Sequence, residues 1–247
     1  MGEVKPRRSF ILTYHSLDES RSPISVSPGE FVRHMEALAQ HSIPVVQLEA
    51  LCSQPPGAVA ITFDDGFENF MPHALPVLQH YGFPATIFAV SGYCGGRNNW
   101  SGQAPGIPIL PLLDWVQLKE ISATGIEIGS HTIEHPRLTL LAATEVERQL
   151  SESKQEIEDR LGKPVKNFAY PYGDLNPQVR ELAGKFFTMS CGVRLRYLGD
   201  SDDSRELPRL DAYYLRNPFW FERIVSPAGE GYIWARRQLR VLRAALQ

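Results

Sequence analysis

The chain has no apolar run approaching the ~20 residues of a membrane-spanning helix, no Cys-x-x-Cys pair, no internal repeat and little surplus charge. Three scattered cysteines, Cys52, Cys94 and Cys191, exclude a disulfide framework, and each is expected to pack as a small apolar side chain. With 25 Lys and Arg against 28 Asp and Glu, the formal charge is −3. That balance gives no general electrostatic basis for binding nucleic acid, and no nucleic-acid partner is expected. Met1–Arg8 is basic, but only Phe10-Ile11-Leu12 follows, too short for a signal-peptide core. As it stands the sequence reads as cytoplasmic; a chain whose export signal had been removed would read the same and be periplasmic or extracellular. At 247 residues the chain buries roughly 70–75% of its unfolded surface. It therefore needs no metal to fold, and a metal here would serve chemistry.

Short apolar, β-branched runs alternate with helical patterns from end to end, the signature of βαβ units around a parallel sheet. Strands are predicted at Phe10–His15, Val45–Leu48, Ala58–Phe63, Ala85–Val90, Ile126–Ser130, Asn167–Tyr170 and Thr188–Val193. Helices are predicted at Glu30–His41, Glu68–His80, Leu113–Ala123, Glu145–Leu161 and Gln178–Lys185. The fourth of these has a capping box from Thr144 and Glu147, an apolar face of Val146, Leu150, Ile157 and Leu161, and a stop at Gly162 and Pro164. Seven strands with intervening helices predict an α/β fold, a distorted, partly closed (β/α) barrel of about seven parallel strands, rather than two domains. The Gly-, Pro- and Asn-rich stretch Gly92–Pro111, carrying Trp100, reads as a long loop at the strands' C-terminal ends, where such folds place their sites.

Four segments carry chemistry. Ala58–Phe63 runs into Asp64-Asp65-Gly66, and two adjacent acids at a strand end are electrostatically unfavourable without a metal or a catalytic duty. Gly129-Ser130-His131-Thr132-Ile133-Glu134-His135-Pro136 follows another strand, and histidines four apart would share one side of a helical turn. With the acid pair they suggest a two-His, one-carboxylate metal site with open positions for water and substrate. Phe168-Ala169-Tyr170-Pro171-Tyr172-Gly173-Asp174 has the composition of a rigid aromatic turn able to present a backbone N–H. Thr13-Tyr14-His15-Ser16 places a histidine after the first strand.

Together these segments resemble the NodB-homology polysaccharide deacetylases, metal-dependent carbohydrate esterases that remove acetyl groups from sugars. Thr62-Phe63-Asp64-Asp65-Gly66 and His131-Thr132-x-x-His135 are similar to that family's first two motifs, and the resemblance spans roughly Phe10 to Ala212. It implies a distorted barrel forming a single domain over residues 1–247, with 213–247 as an aromatic and basic extension. It implies Asp65, His131 and His135 as metal ligands, Asp64 as general base, and the backbone N–H of Tyr172 as an oxyanion donor. The ion is expected to be zinc, the ligand set also suiting Co2+, Ni2+, Fe2+ or Mn2+. The family's usual third motif has an arginine bracing the base where this chain has Ala169, and its late Leu-x-His motif is missing, since no histidine follows His135. Leu12-Thr13-Tyr14-His15 resembles the permuted arrangement of the poly-N-acetylglucosamine deacetylase branch, which makes His15 the general acid. Arg209, in Leu207-Pro208-Arg209, offers the replacement cation.

The activity so implied is hydrolysis of N-acetyl, or O-acetyl, groups on an aminosugar-containing glycan or glycan precursor. Two alternatives are a deformylase or other small-amide hydrolase on the same fold, and a carbohydrate-binding module without activity. The intact Asp64, Asp65, His131 and His135 argue against the module. In the tail, Arg236, Arg237, Arg240 and Arg243 mix with Ile233, Trp234, Val241, Leu242 and Leu246, a composition that suits weak contact with an anionic membrane surface. The stronger expectation is that the apolar side chains pack on the barrel while the arginines face solvent or pair with Glu222 and Glu230.

Overall fold

The computed structural model describes residues 8–51 and 53–245, with side chains as far as Leu242. Cys52, the first seven residues, Leu246 and the Arg243 side chain lie outside the described residues. The strands are β1 (Phe10–Tyr14), β2 (Ser16–Leu17), β3 (Ser25–Val26), β4 (Val59–Phe63), β5 (Thr86–Ala89), β6 (Glu127–Ser130), β7 (Asn167–Ala169), β8 (Met189–Cys191) and β9 (Leu210–Asp211). Seven form one parallel sheet in the order β8-β7-β6-β5-β4-β1-β9, and β2 pairs with β3 apart from it. The sheet curls into a half-barrel that does not close: β8 and β9 are not paired. The segment between them crosses the seam, with Leu207 bridging to Cys191 and Leu210–Asp211 pairing with Leu12–Thr13.

Strand alternation sorts the side chains into two layers. Phe10, Leu12 and Tyr14 of β1 and Val59, Ile61 and Phe63 of β4 join the large core beneath the helices. Ile11, Ala58, Ala60, Phe88, Ala169 and Cys191 fill the barrel interior. The interior side chains are mostly small, and a Cβ on Gly129 would sit 2.7 Å from the Phe88 ring and 2.8 Å from the Asn167 carbonyl. Cys191 is buried as expected, and Cys94 is half-buried.

Several sequence expectations need correction. Val45–Leu48 is not a strand. Val45 makes a single bridge to Val59, and Leu48 opens a short helix, Leu48–Leu51. The seventh strand is instead β9, whose two residues are too few to show an apolar pattern. The helix expected at Glu68–His80 breaks into Phe70–His73 and Leu75–Tyr81, because Pro76 has no N–H to bond back to the preceding turn. The long helix runs Ala143–Leu161 and has no side-chain cap. The Ala142 carbonyl already accepts from Glu145 and Val146 at 3.0 Å, which places Thr144 inside the first turn. Complete capping boxes occur elsewhere, at Ser27/Glu30 and Asp114/Gln117.

The tail helix, Pro227–Ala245, turns opposite faces from those expected. Ile233 is buried, but Trp234 is 63% and Leu242 59% exposed. The inward side carries arginines: Arg236 lies over the rings of Tyr214 and Tyr232, and Arg240 donates to the Val193 carbonyl at 3.3 Å. Guanidinium groups stacked on tyrosines take the place expected for aliphatic packing. Arg8 is the residue beside Glu230, at 3.7 Å.

Candidate active site

The site is built where β1, β4, β6, β7 and β9 end. On β4 the period of two turns Ala60, Thr62 and Asp64 toward the barrel axis, and Asp64 N–H still bonds the Tyr14 carbonyl at 2.9 Å. The chain then reverses through positive φ at Asp65 and Gly66, 70° and 74°. This reversal sends the two neighbouring carboxylates to different partners, which resolves their like-charge conflict.

Asp65 turns to the histidines. One of its carboxylate oxygens lies 3.5 Å from His131 Nε2 and 3.4 Å from His135 Nε2, and all three residues are buried. The Nδ1–H of His131 donates to the Ala169 carbonyl at 2.7 Å, leaving the Nε2 lone pair directed at Asp65, as a metal-ligating histidine requires. His135 is positioned differently. The residues from His131 to His135 do not form the helical turn expected from their spacing. Thr132 and His135 take φ of 70° and 57°. Thr132 Oγ1 accepts from His135 N–H, and Gln149 Oε1 accepts from Ile133 and Glu134 N–H. This bent loop, held by side-chain acceptors, converges the two imidazoles.

The three donor atoms lie within 4.8 Å of one another, and a divalent-metal-binding triad is present. The two N···O separations are long for hydrogen bonds. Separations of this length suit donors that share one ion rather than bond each other. Burial pushes the Asp65 carboxyl up, but the imidazoles of His131 and His135 beside it overcome this and hold it well below the usual carboxylate range. Burial likewise disfavours the charged form of His131, and the contacts with Asp65 and Asp64 more than reverse it; in His135 burial prevails.

Asp64 turns to Arg209. Its two oxygens accept from Nη1 and Nη2 at 2.6 and 2.7 Å, a bidentate pair buried on both sides. Arg209 also donates to the Gly192 carbonyl and to Thr62 Oγ1. Its place on the seam-crossing segment puts a cation inside the barrel, where no strand of the regular pattern supplies one. Burial raises the Asp64 pKa, and the Arg209 charge and hydrogen bonds bring it below its ordinary value. His15, one residue past β1, is partly exposed, with Nε2 3.8 Å from the second Asp64 oxygen. Tyr172 sits on the turn after β7 with φ 58°, its ring centroid 4.5 Å from that of His135. A Cβ on the following Gly173 would meet Val193 at 2.1 Å, so only glycine fits. The structure thus brings all seven residues singled out from the sequence, His15, Asp64, Asp65, His131, His135, Tyr172 and Arg209, to one end of the barrel.

Two neighbours were not among those seven. Asp211 pairs with Thr13 across the β9–β1 ladder; burial raises its pKa while the charge of His15 lowers it. Trp100, noted in the sequence only as part of a loop, packs its ring 4.3 Å from His135. A cavity of about 280 Å³ lies at the opposite end of the strands, between Gln47, Glu127 and Lys163, away from these groups. Backbone strain marks the site. Four of the six non-glycine positive-φ residues among those described, Asp65, Thr132, His135 and Tyr172, are here. Such strain costs about 1–3 kcal/mol per residue and concentrates at functional sites.

Comparison with known proteins accords with this geometry. The YxkH protein of Bacillus subtilis (strain 168) is 29% identical over 188 residues, covering 73% of this chain; the chain spans 62% of that relative's length. The poly-beta-1,6-N-acetyl-D-glucosamine N-deacetylase of Staphylococcus aureus (strain MRSA252) is 26% identical over 222 residues, 84% of this chain and 71% of its own. The fold is also that of IcaB from Ammonifex degensii, with a TM-score of 0.73 at 23% identity, covering 87% of this chain and 97% of the other. The family model described as polysaccharide deacetylase matches residues 53–187, more than half of the sequence and both the Asp-Asp and His-His segments. The chain therefore belongs to the polysaccharide deacetylase family.

Proposed function

We propose that the protein is a zinc-dependent hydrolase that removes N-acetyl groups from an aminosugar-containing glycan. The observation that carries this reading is the placement of two separate devices side by side. One is the Asp65–His131–His135 triad; the other is Asp64, pinned by Arg209 and faced by His15. A binding module has no need of a buried, braced carboxylate beside a metal triad. A donor set of one carboxylate and two imidazoles suits zinc. The name of the Staphylococcus aureus relative, a poly-beta-1,6-N-acetyl-D-glucosamine N-deacetylase, supports an N-acetylated glycan as substrate.

A divalent ion in the triad would polarise the acyl carbonyl and acidify water. Asp64 would take the proton of the attacking water. The bidentate guanidinium fixes the orientation of that carboxylate and keeps it ionised, the form a base requires. The Tyr172 backbone N–H would carry part of the oxyanion charge. His15, 3.8 Å from Asp64 and partly exposed, would hand a proton to the departing sugar amine, without which that nitrogen is a poor leaving group.

The test is acetate and formate release from a panel of N-acylated aminosugars, including chitin-type oligomers and β-1,6-linked N-acetylglucosamine oligomers, with metal content measured on the same sample. Acetate release that tracks zinc content is expected. Formate release alone would move the assignment to a deformylase, and full activity after every metal is chelated would refute it.

A further inference from the structure

His15 stands at a joint in the backbone. β1 ends at Tyr14 inside the seven-stranded sheet, and β2 begins at Ser16 and pairs with β3 instead. Among the described residues the His15 imidazole makes no hydrogen bond; its Nε2 stands 3.8 Å from the Asp64 oxygen, beyond hydrogen-bond reach. With no bond holding the ring, its direction is set by the backbone on either side. Toward Tyr14 that backbone is fixed by the ladder to β4, where Tyr14 registers with Phe63. Toward Ser16 the β2–β3 pair is only two residues long, and the Asn69 side chain ties it to the segment that leaves Asp64.

Successive N–H groups along a strand point to opposite edges. Ser16 and Asp18 donate to the Ile24 and Val26 carbonyls at 3.1 and 3.0 Å. Leu17 N–H faces the other way, and Leu17 is buried, so that group needs a partner. Asn69 Oδ1 accepts it at 3.2 Å. Asn69 Nδ2 donates to Ser16 Oγ at 2.7 Å, and that hydroxyl donates on to Asp18 Oδ2 at 2.5 Å, where Ser25 Oγ also donates at 2.9 Å. Burial pushes the Asp18 carboxyl up, and the bonds from Ser16, Ser20 and Ser25 more than reverse it, so the chain of bonds ends on an anion. Both ends of the Asn69 amide are thus spent on the two residues that follow His15. Asn69 also stands directly before the helix Phe70–His73, where an asparagine ordinarily accepts from the first helical turn. It makes no such cap, and reaches instead across 52 residues of sequence to β2.

We propose that Asn69 is a positioning residue for the proton donor: by holding Ser16 and Leu17 it sets the His15 imidazole against Asp64. The inference rests on the reading of His15 as the general acid of an aminosugar deacylase. Asn69 touches neither the metal triad nor Asp64 through any hydrogen bond, so its loss leaves base and ligands in place. What it removes is the tie between the segment that carries the base and the joint that carries the acid. Displacing a reacting group by about 1 Å costs up to about 10²-fold in rate.

The experiment compares the zinc-loaded full chain with N69A, S16A, H15A and the H15A/N69A double variant. The substrates are an N-acetylglucosamine oligomer, whose amine must be protonated to leave, and 4-nitrophenyl acetate, whose phenolate leaves unaided. Zinc content and melting temperature check folding. N69A should lower kcat on the oligomer about 10- to 100-fold with KM within about twofold, while the ester rate stays within about threefold. S16A, which keeps the Leu17 bond, should show a smaller loss with the same selectivity, and it carries the test should N69A not fold. Adding N69A to H15A should cost no more than about a further twofold, because no imidazole is left to place. Equal losses on both substrates, a loss confined to KM, or losses that multiply in the double variant would overturn the proposal. A second readout needs no turnover: the ring C–H proton resonances of His15, identified by their absence from H15A, should move in N69A while those of His80 stay. Should wild type hydrolyse neither substrate, or H15A match wild type on the oligomer, the acid reading fails and these resonances decide the positioning separately. Displaced His15 signals support it; unchanged ones end it.

Discussion

Arg209 grips Asp64 with two parallel N–H···O bonds of 2.6 and 2.7 Å, across 145 residues of sequence and in near-complete burial. The pair serves both stability and chemistry, and the two uses separate under mutation. Arg209→Ala should destabilise the fold by about 3–5 kcal/mol, because it leaves a buried carboxylate unpaired. Arg209→Lys keeps the charge but loses the planar fork, and a base so misplaced should slow turnover about 10²-fold. Urea unfolding and initial rates on the same preparations check both; an Arg209→Lys enzyme as fast as wild type would remove the orienting role.

Asp64→Asn should keep zinc while turnover falls about 10²–10⁴-fold, since Asp64 is outside the triad. His131→Ala should lose metal and activity together. In wild type, zinc at a hundred times its Kd should add about 2.7 kcal/mol of stability, seen as a higher melting temperature. The same addition should leave His131→Ala unmoved; an equal shift in both would place the ion elsewhere.

A general acid matters in proportion to how poor the leaving group is. His15→Ala should therefore cut N-acetyl hydrolysis by about 10²–10⁴-fold and cost far less on an aryl ester, whose phenolate departs unaided. Equal losses on both would make His15 a binding residue instead.

His34 supplies a pH-dependent stability. Its imidazole stacks on Phe221 at 3.8 Å and bonds the Tyr14 hydroxyl and the Leu215 carbonyl. Burial drives its pKa down to about 3, the Leu215 carbonyl opposing and Arg33 assisting. A histidine depressed in the folded state binds its proton more readily once unfolded, so stability is full above about pH 6.5 and declines as pH falls toward 3. The loss should be on the order of 2 kcal/mol at pH 5. His34→Gln, which does not titrate, should flatten the slope of melting temperature between pH 6.5 and 4.5; an unchanged slope would assign it to another group.

The exposed face of the tail helix, with Trp234, Val241 and Leu242 between 58% and 63% exposed and Arg237 beside them, leads us to propose weak membrane-surface contact. Co-sedimentation with phosphatidylglycerol vesicles should fall when Trp234 and Leu242 are both changed to Ser, substitutions that disturb no buried contact. Negligible binding by wild type would rule the contact out.

The metal triad was legible in the sequence because its parts lie in two short segments at strand ends, Asp64-Asp65-Gly66 and His131 to His135. The histidine spacing does not act through a helical turn, however: Thr132 and Gln149 hold a bent loop in its place. The parallel α/β fold was legible too, since apolar alternation is a local property, and every central strand was placed within a residue or two. The edges were not. Val45–Leu48 had the composition of a strand but found a partner only at Val59, and β9 had no pattern to read. The roles of His15 and Arg209 could be assigned only by resemblance, because nothing within reach of either in the sequence says what it faces. The curl of the sheet decided that. By carrying residues 207–211 across the seam it delivered Arg209 to Asp64, and by folding the 92–111 loop over the strand ends it set Trp100 against His135. Local spacing chose the ligands, while the curl of the barrel, which brings distant segments to one axis, chose their neighbours.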